Sequence, residues 1–130
     1  MIFTIAVHAP AYASGANHHA LQFCEALLRA GHKIARVFFY HEGVYTALST
    51  QVTPQGEKNA LAHWQALAEK HHVELAVCIA NAIKRGVLSE SEQKRYEQGS
   101  MTLAQPFELV GLGQLIDAIA HSDRYVEFPA

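Results

Sequence analysis

The chain has 130 residues, half of them hydrophobic, which is enough for one domain with its own core (residues 1–130) and leaves little room for a second. Ten Lys and Arg against twelve Asp and Glu give a formal charge of −2, so a broadly basic face is not expected and neither is direct nucleic-acid binding. The two cysteines, Cys24 and Cys78, are too few for a disulfide scaffold, and the apolar start ends at Val7, too short for a signal peptide or a membrane span; a reducing cytoplasm is the expected compartment.

In chain order, Ile2 to Val7 is short, apolar and rich in β-formers, and predicts a buried strand. Pro10 and Gly15 interrupt the next stretch, which predicts a loop. From Asn17 to Ala30 the apolar positions Ala20, Leu21, Phe23, Cys24, Leu27 and Leu28 recur at helical spacing, and Gly31 is placed to end that helix. Ile34 to Tyr40 predicts a second strand, and the stretch from His41 through Pro54 and Gly56 a long loop. Glu57 to His71 predicts an amphipathic helix with Leu61, Trp64, Leu67 and Ala68 on one side, followed by a third strand from Val73 to Cys78. Ile79 to Arg85 reads as a short helix ended by Gly86, and Glu90 to Gln98 as a charged, exposed one. A fourth strand from Phe107 to Val110, a last helix from Gly111 to His121 and a closing strand from Arg124 to Phe128 complete the chain. Apolar strands alternating with helices predict an α/β fold: a single three-layer α/β/α sandwich around an open, mostly parallel five-stranded sheet with right-handed crossovers. The strand order is left open by this pattern.

In such sheets, sites form at the carboxyl ends of the strands. The residues there are His8, then Tyr40, His41 and Glu42, then Cys78, then Gly111 and Gly113. Cys78 ends a buried strand just before a helix, where first-turn amides would favour thiolate, the form that attacks a persulfide or a disulfide. A pKa below that of a free cysteine is therefore expected, against which burial works. The alternative is a cysteine that only packs. Cys24, in the apolar stripe of a helix, reads as packing, and without a CxxC spacing the pair is no thioredoxin-type dithiol. His18-His19 and His71-His72 are adjacent in sequence and point to different faces of a helix, so no metal site is expected. No phosphate loop is present, Gly111-Leu-Gly lacks the third glycine of a dinucleotide fingerprint, and Lys84 stands where a phosphatase-like Cys-x5-Arg would need arginine. No cofactor is expected.

Several stretches carry a resemblance: Ala9-Pro-Ala-Tyr, Val37-Phe-Phe-Tyr-His-Glu-Gly-Val-Tyr, Cys78-Ile-Ala-Asn-Ala-Ile-Lys-Arg-Gly-Val, Gly111-Leu-Gly-Gln-Leu and Asp123-Arg-Tyr-Val-Glu-Phe. With them the chain resembles the DsrE-type family of small sulfur-relay proteins, and within it the TusD branch. The resemblance implies a sulfurtransferase in which Cys78 receives sulfur as a persulfide from a TusA-like donor and passes it to a TusE-like acceptor. It implies TusB-like and TusC-like partner subunits in a heterohexamer, and 2-thiolation of the wobble uridine of transfer RNA as the end use. A DsrE-type subunit of dissimilatory sulfur oxidation and a non-catalytic scaffold subunit are the alternatives. Two positions depart from the family pattern, Ala9 where Gly is common and Thr46 where Asn is common.

The residues expected around the thiol are His8, Tyr12, His41, Glu42 and Tyr45. Tyr40, Val44 and Tyr45 fall at or beyond the end of the second strand, where apolar surface usually marks a partner. The segment from His41 to Leu48 is accordingly expected against another subunit near Cys78, or else folded back on its own domain.

Overall fold

The computed structural model describes residues 1–13, 15–57 and 59–130. Its elements are β1 (Ile2–Val7), α1 (Ala16–Arg29), β2 (Lys33–Phe39), a 3-10 segment (His41–Ala47), α2 (Ala60–His71), β3 (Leu75–Cys78), α3 (Ile79–Ile83), α4 (Glu90–Arg95), β4 (Glu108–Val110), α5 (Gly113–Ala120) and β5 (Arg124–Phe128). The five strands form one sheet in the order β4-β3-β2-β1-β5, and every pairing in it is parallel. The predicted fold class holds, and the strand order that periodicity left open is now fixed.

This order decides how the layers fill. Three crossovers step the same way from β1 to β4, and with right-handed connections their helices share one face. The return from β4 to β5 runs the other way and puts α5 on the opposite face. The side chains follow the same division. Ile5, Val7, Val37, Phe39, Leu75 and Val77 meet Leu21, Cys24 and Leu27 of α1 and Leu61, Trp64 and Leu67 of α2 in the main core. Phe38, Ala76 and Cys78 form a second, smaller cluster with Tyr40, Val110 and Leu115 of α5. The four residues expected inward on the second long helix, Leu61, Trp64, Leu67 and Ala68, are the ones buried.

Trp64 anchors the main core. Its ring meets Phe39 edge-on at 5.1 Å, and Phe39 in turn meets Phe107 at 5.4 Å. Its indole N–H donates to Oδ1 of buried Asn17 at 3.0 Å. The Asn17 amide donates to the Ala9 carbonyl at 3.0 Å and to the Thr46 hydroxyl at 2.9 Å. One satisfied polar side chain thus ties α2 to the loop after β1 and to the 3-10 segment, and a buried amide left without such partners would be costly.

Helix boundaries differ from the expected ones for local reasons. α2 starts at Ala60, three residues late, because the Asn59 side chain caps it by accepting from the Ala62 N–H at 3.0 Å. The third strand starts at Leu75 because the Val73 N–H still serves the α2 terminus, donating to the Ala68 carbonyl. α4 ends at Arg95, and Glu97 turns the chain with a φ of 53°. Gly31 adopts a φ of 88° just past the first helix, the left-handed stop expected of it.

The stretch after β2 corrects a larger expectation. The first part of the expected loop, His41 to Ala47, is a 3-10 segment whose Gly43, Val44, Thr46 and Ala47 are buried in this same subunit, Val44 fully. Of the three side chains expected to need a partner, Val44 belongs to the main core, while Tyr40 and Tyr45 are half-buried. The segment folds back because its apolar residues lie one 3-10 turn from the sheet end and reach the core directly.

Gly43 is the tight point of that packing. A Cβ there would lie 2.2 Å from the Val7 carbonyl oxygen and 3.0 Å from its carbon, both backbone atoms that cannot swing away. Gly43→Ala is expected to destabilise the fold by about 2–3 kcal/mol, the cost typical of overpacking, which urea unfolding will read as a lower midpoint at unchanged slope.

Candidate active site

The parallel register levels residues across the sheet, and on the α5 face it aligns them in rows. Val7 pairs with Phe39, Phe39 with Val77, and Cys78 with Val110. One step past those pairs, His8, Tyr40 and Cys78 therefore stand at one level on neighbouring strand ends, and Val110 completes the row. The next row down is Glu108, Ala76, Phe38, Ala6 and Glu127. Below it come Arg36, Thr4 and Tyr125. Successive residues of a strand face opposite sides, so these rows share the face that α5 covers.

α5 lies over the lower rows and is tied there by polar contacts. Arg36 donates to the Gln114 carbonyl at 2.9 Å and to its side-chain oxygen at 3.1 Å while pairing with Glu74 at 2.6 Å. The Thr4 and Ser122 hydroxyls bond at 2.6 Å. Ala6 and Ala76, both buried, keep the face low enough for the helix to approach. The top row is left at the rim. Cys78 there is 4% exposed, a covered thiol.

Cys78 is the residue before α3, with φ −60° and ψ 114°. The expected helix-start contact is not made: the side chain forms no capping hydrogen bond, and α3 has only five residues. The carboxyl-edge position of the thiol was foreseen from the sequence. The expected hydrogen bond from the first turn of that short helix is the part that the structure does not supply.

The histidines expected to flank the thiol do come together. His8 and His41 stack at 5.2 Å, Tyr40 meets His41 edge-on at 4.2 Å and His8 at 5.5 Å, and Tyr40 also packs toward Phe38 at 6.1 Å. His41 adopts a φ of 49°, and its N–H donates to the Asn81 side chain on α3, which fixes the stack against the Cys78 helix. Glu42 pairs with Arg85 at 2.9 Å, and Arg85 also reaches the Asn81 carbonyl at 3.1 Å. Arg85 therefore braces the 3-10 segment, while Lys84 beside it is exposed.

Tyr12 and Tyr45 stand differently. The Tyr12 hydroxyl accepts from the Ala60 N–H at 3.0 Å, and its ring lines a groove with His18, Leu21 and His63 between α1 and α2. Those helices pack on the other face of the sheet, so Tyr12 is not part of the Cys78 row. Tyr45 is half-buried on the 3-10 segment, where its carbonyl accepts from the Leu48 N–H.

One residue next to His8, and the tyrosine bonded to it, were not singled out from the sequence. Glu127 of β5 lies 3.9 Å from His8 Nε2 and accepts from the Tyr125 hydroxyl at 2.6 Å. Burial lowers the His8 pKa first of all, Glu127 opposes that shift, and His41 adds to it. The signal for Glu127 was its place in β5, a carboxylate between Val126 and Phe128 in an otherwise apolar strand end. Cys24 is fully buried in the main core, and burial followed by nearby Glu25 pushes its thiol up to about 12. Among the described residues no group of three or more His, Cys, Asp or Glu could hold a metal ion, and no helix is long and apolar enough to cross a membrane.

This architecture and sequence have known counterparts. The model of the DsrE/DsrF-like family matches residues 1–128. The chain is 41% identical to the sulfurtransferase TusD homolog of Aliivibrio fischeri over 128 residues, covering 98% of each chain. It is 44% identical to the TusD homolog of Pseudomonas aeruginosa, covering 98% of this chain and 97% of that one. It is 42% identical to sulfurtransferase TusD of an Enterobacter species, covering 98% of this chain and all of the relative. The crystal structure of the YchN protein from E. coli superposes with a TM-score of 0.79 at 18% identity, covering 98% of this chain and 99% of that one, a likeness of fold. A matching family model and full-length relatives agree: the chain belongs to the DsrE/DsrF-like family, as a sulfurtransferase of the TusD type.

Proposed function

We propose that Cys78 is the sulfur-carrying residue of this sulfurtransferase. The observation that carries the reading is the placement of its thiol at the rim of the face that a single short helix covers, level with His8 and Tyr40 at the carboxyl edge of the sheet. His8 and His41 form the wall of that rim, and Glu42, through Arg85, holds the wall in place.

The chemistry balances without an oxidant. The Cys78 thiolate attacks the outer sulfur of a donor persulfide, the donor sulfur–sulfur bond breaks with its electron pair on the donor thiolate, and Cys78 holds the persulfide. An acceptor thiolate then attacks that outer sulfur, and Cys78 leaves as thiolate. Both steps are thiol–disulfide exchange in form, governed by the thiolate fraction of the attacker and by access to the sulfur. The covered position of Cys78 suits a carrier, since it restricts which thiols arrive.

In this reading a TusA-like protein is the donor and a TusE-like protein the acceptor. TusB-like and TusC-like subunits assemble with the chain into a heterohexamer, and the relay runs in the cytoplasm toward 2-thiolation of the transfer-RNA wobble uridine.

Incubated with a persulfide-loaded donor, the intact chain is expected to gain one sulfur atom in mass. Cys78→Ser should abolish the gain with the urea midpoint preserved, and Cys24→Ser should keep it. A sulfur found on Cys24 would sink the assignment, and transfer undiminished by Cys78→Ser would leave the chain a scaffold.

Alkylation separates the two thiols by a second property. With its pKa at about 12, Cys24 is thiolate in only about one molecule in 10⁵ at pH 7, so iodoacetamide should leave it unmodified in the folded chain and label it after unfolding. Peptide mapping before and after urea checks this; rapid native labelling of Cys24 would contradict its burial.

A further inference from the structure

We infer that His8, beside Glu127, is the proton acceptor for the thiol that takes sulfur from Cys78. The inference rests on the sulfur-carrier reading of Cys78 and adds to it the residues that manage the proton.

The geometry starts from the row. His8 and Cys78 are two strand positions apart on one level, with Tyr40 between them, which separates their backbones by about 10 Å at the usual spacing of parallel strands. A direct bond between imidazole and thiol is not what this spacing provides. The transfer step needs the Cys78 sulfur, the sulfur in transit, the attacking sulfur and the base in sequence. The two sulfur–sulfur links of about 2 Å and one hydrogen bond of about 3 Å sum to roughly 7 Å, a length within the spacing of about 10 Å between the two backbones. The Tyr40 ring occupies the intervening strand end, touching His8 and packed against the cluster that contains Cys78.

The surroundings of His8 suit a base. The titratable groups that face it are Glu127 from β5, Tyr40 from the end of β2 and His41 from the 3-10 segment, with Tyr125 bonded behind Glu127. Glu127 stands 3.9 Å from Nε2, held there by the Tyr125 hydroxyl, where its charge favours the protonated ring. The His8 main chain is fixed as well, its N–H donating to the Phe128 carbonyl at 3.0 Å. Burial holds the ring below its usual pKa, so it is neutral and able to accept near neutral pH.

The step balances. Neutral His8 takes the proton of the incoming thiol, and the resulting thiolate attacks the outer sulfur of the Cys78 persulfide. The sulfur–sulfur bond to Cys78 breaks, its electron pair stays on Cys78, and the imidazolium returns its proton to that thiolate or to water.

The test loads the whole chain with inorganic polysulfide, confirms the added sulfur on Cys78 by mass, and discharges it to dithiothreitol, which cyclises and releases the sulfur as hydrosulfide. In the wild type, discharge should rise with pH through the His8 midpoint, below 6.5, and then flatten toward pH 8. His8→Gln should slow discharge by about a hundred-fold on the plateau, leaving a rate that climbs about tenfold per pH unit with the dithiothreitol thiolate. Because Glu127 raises the His8 pKa, Glu127→Gln should move the acid limb to lower pH, and the His8 Cε1–H resonance should titrate lower with it. A His8→Gln chain that loads and then discharges with the wild-type rate and profile overturns the inference and leaves the carrier reading standing. A wild-type chain that takes no sulfur onto Cys78 overturns the carrier reading, and the inference with it.

Discussion

The Val7 carbonyl oxygen is the atom on which the carboxyl edge of the sheet is built. It accepts from the Tyr40 N–H at 2.9 Å, the last bond joining β2 to β1, and Gly43 closes over it with no room for a side chain. These two contacts determine where β2 leaves the sheet and how the chain turns into the 3-10 segment. The turn in turn delivers the His41 N–H to Asn81 and Glu42 to Arg85, both next to the helix that follows Cys78. A backbone acceptor at the end of one strand thus orients groups arriving from two others, because in a parallel sheet all strand ends of one kind gather at one edge.

The two cysteines show what position does to one functional group. Cys24 lies in the thick layer, enclosed by two long helices and the sheet, where desolvation holds it as a thiol. Cys78 lies on the thin layer, under a helix of eight residues tied by Arg36 and Thr4 well below the rim. The asymmetry originates in strand order: three crossovers fill one face and a single return covers the other. Unequal layers leave Cys24 enclosed by long helices on one face and Cys78 at the rim of the other, which one short helix covers.

Much of this was legible in the residues. β1 and β5 fall where their apolar runs do, the inward residues of α1 and α2 follow from helical spacing, and Cys78, His8 and His41 were singled out because each follows a strand. What escaped was non-local. Val44 looked like surface because it follows a strand end, and only the reach of a 3-10 turn returns it to the core. Tyr12 shares the carboxyl edge with His8 yet turns to the other face, where it meets the start of α2, and no local pattern near Tyr12 encodes that choice. Glu127 becomes meaningful once β5 is known to lie beside β1, a pairing between residues more than a hundred positions apart.

The row of rim side chains also obeys a rule of parity. β3 is four residues long and alternates Leu75 and Val77 toward the thick layer with Ala76 and Cys78 toward the thin one. Gaining or losing one residue between its pairing with β2 and the cysteine would turn the sulfur to the interior side, among Val77-like neighbours, with the composition of the chain hardly altered. A change of two would keep it on its own side and only slide it along the edge. Odd changes in the length of this strand would therefore take the thiol away from the rim in a single step, with no other change in the chain.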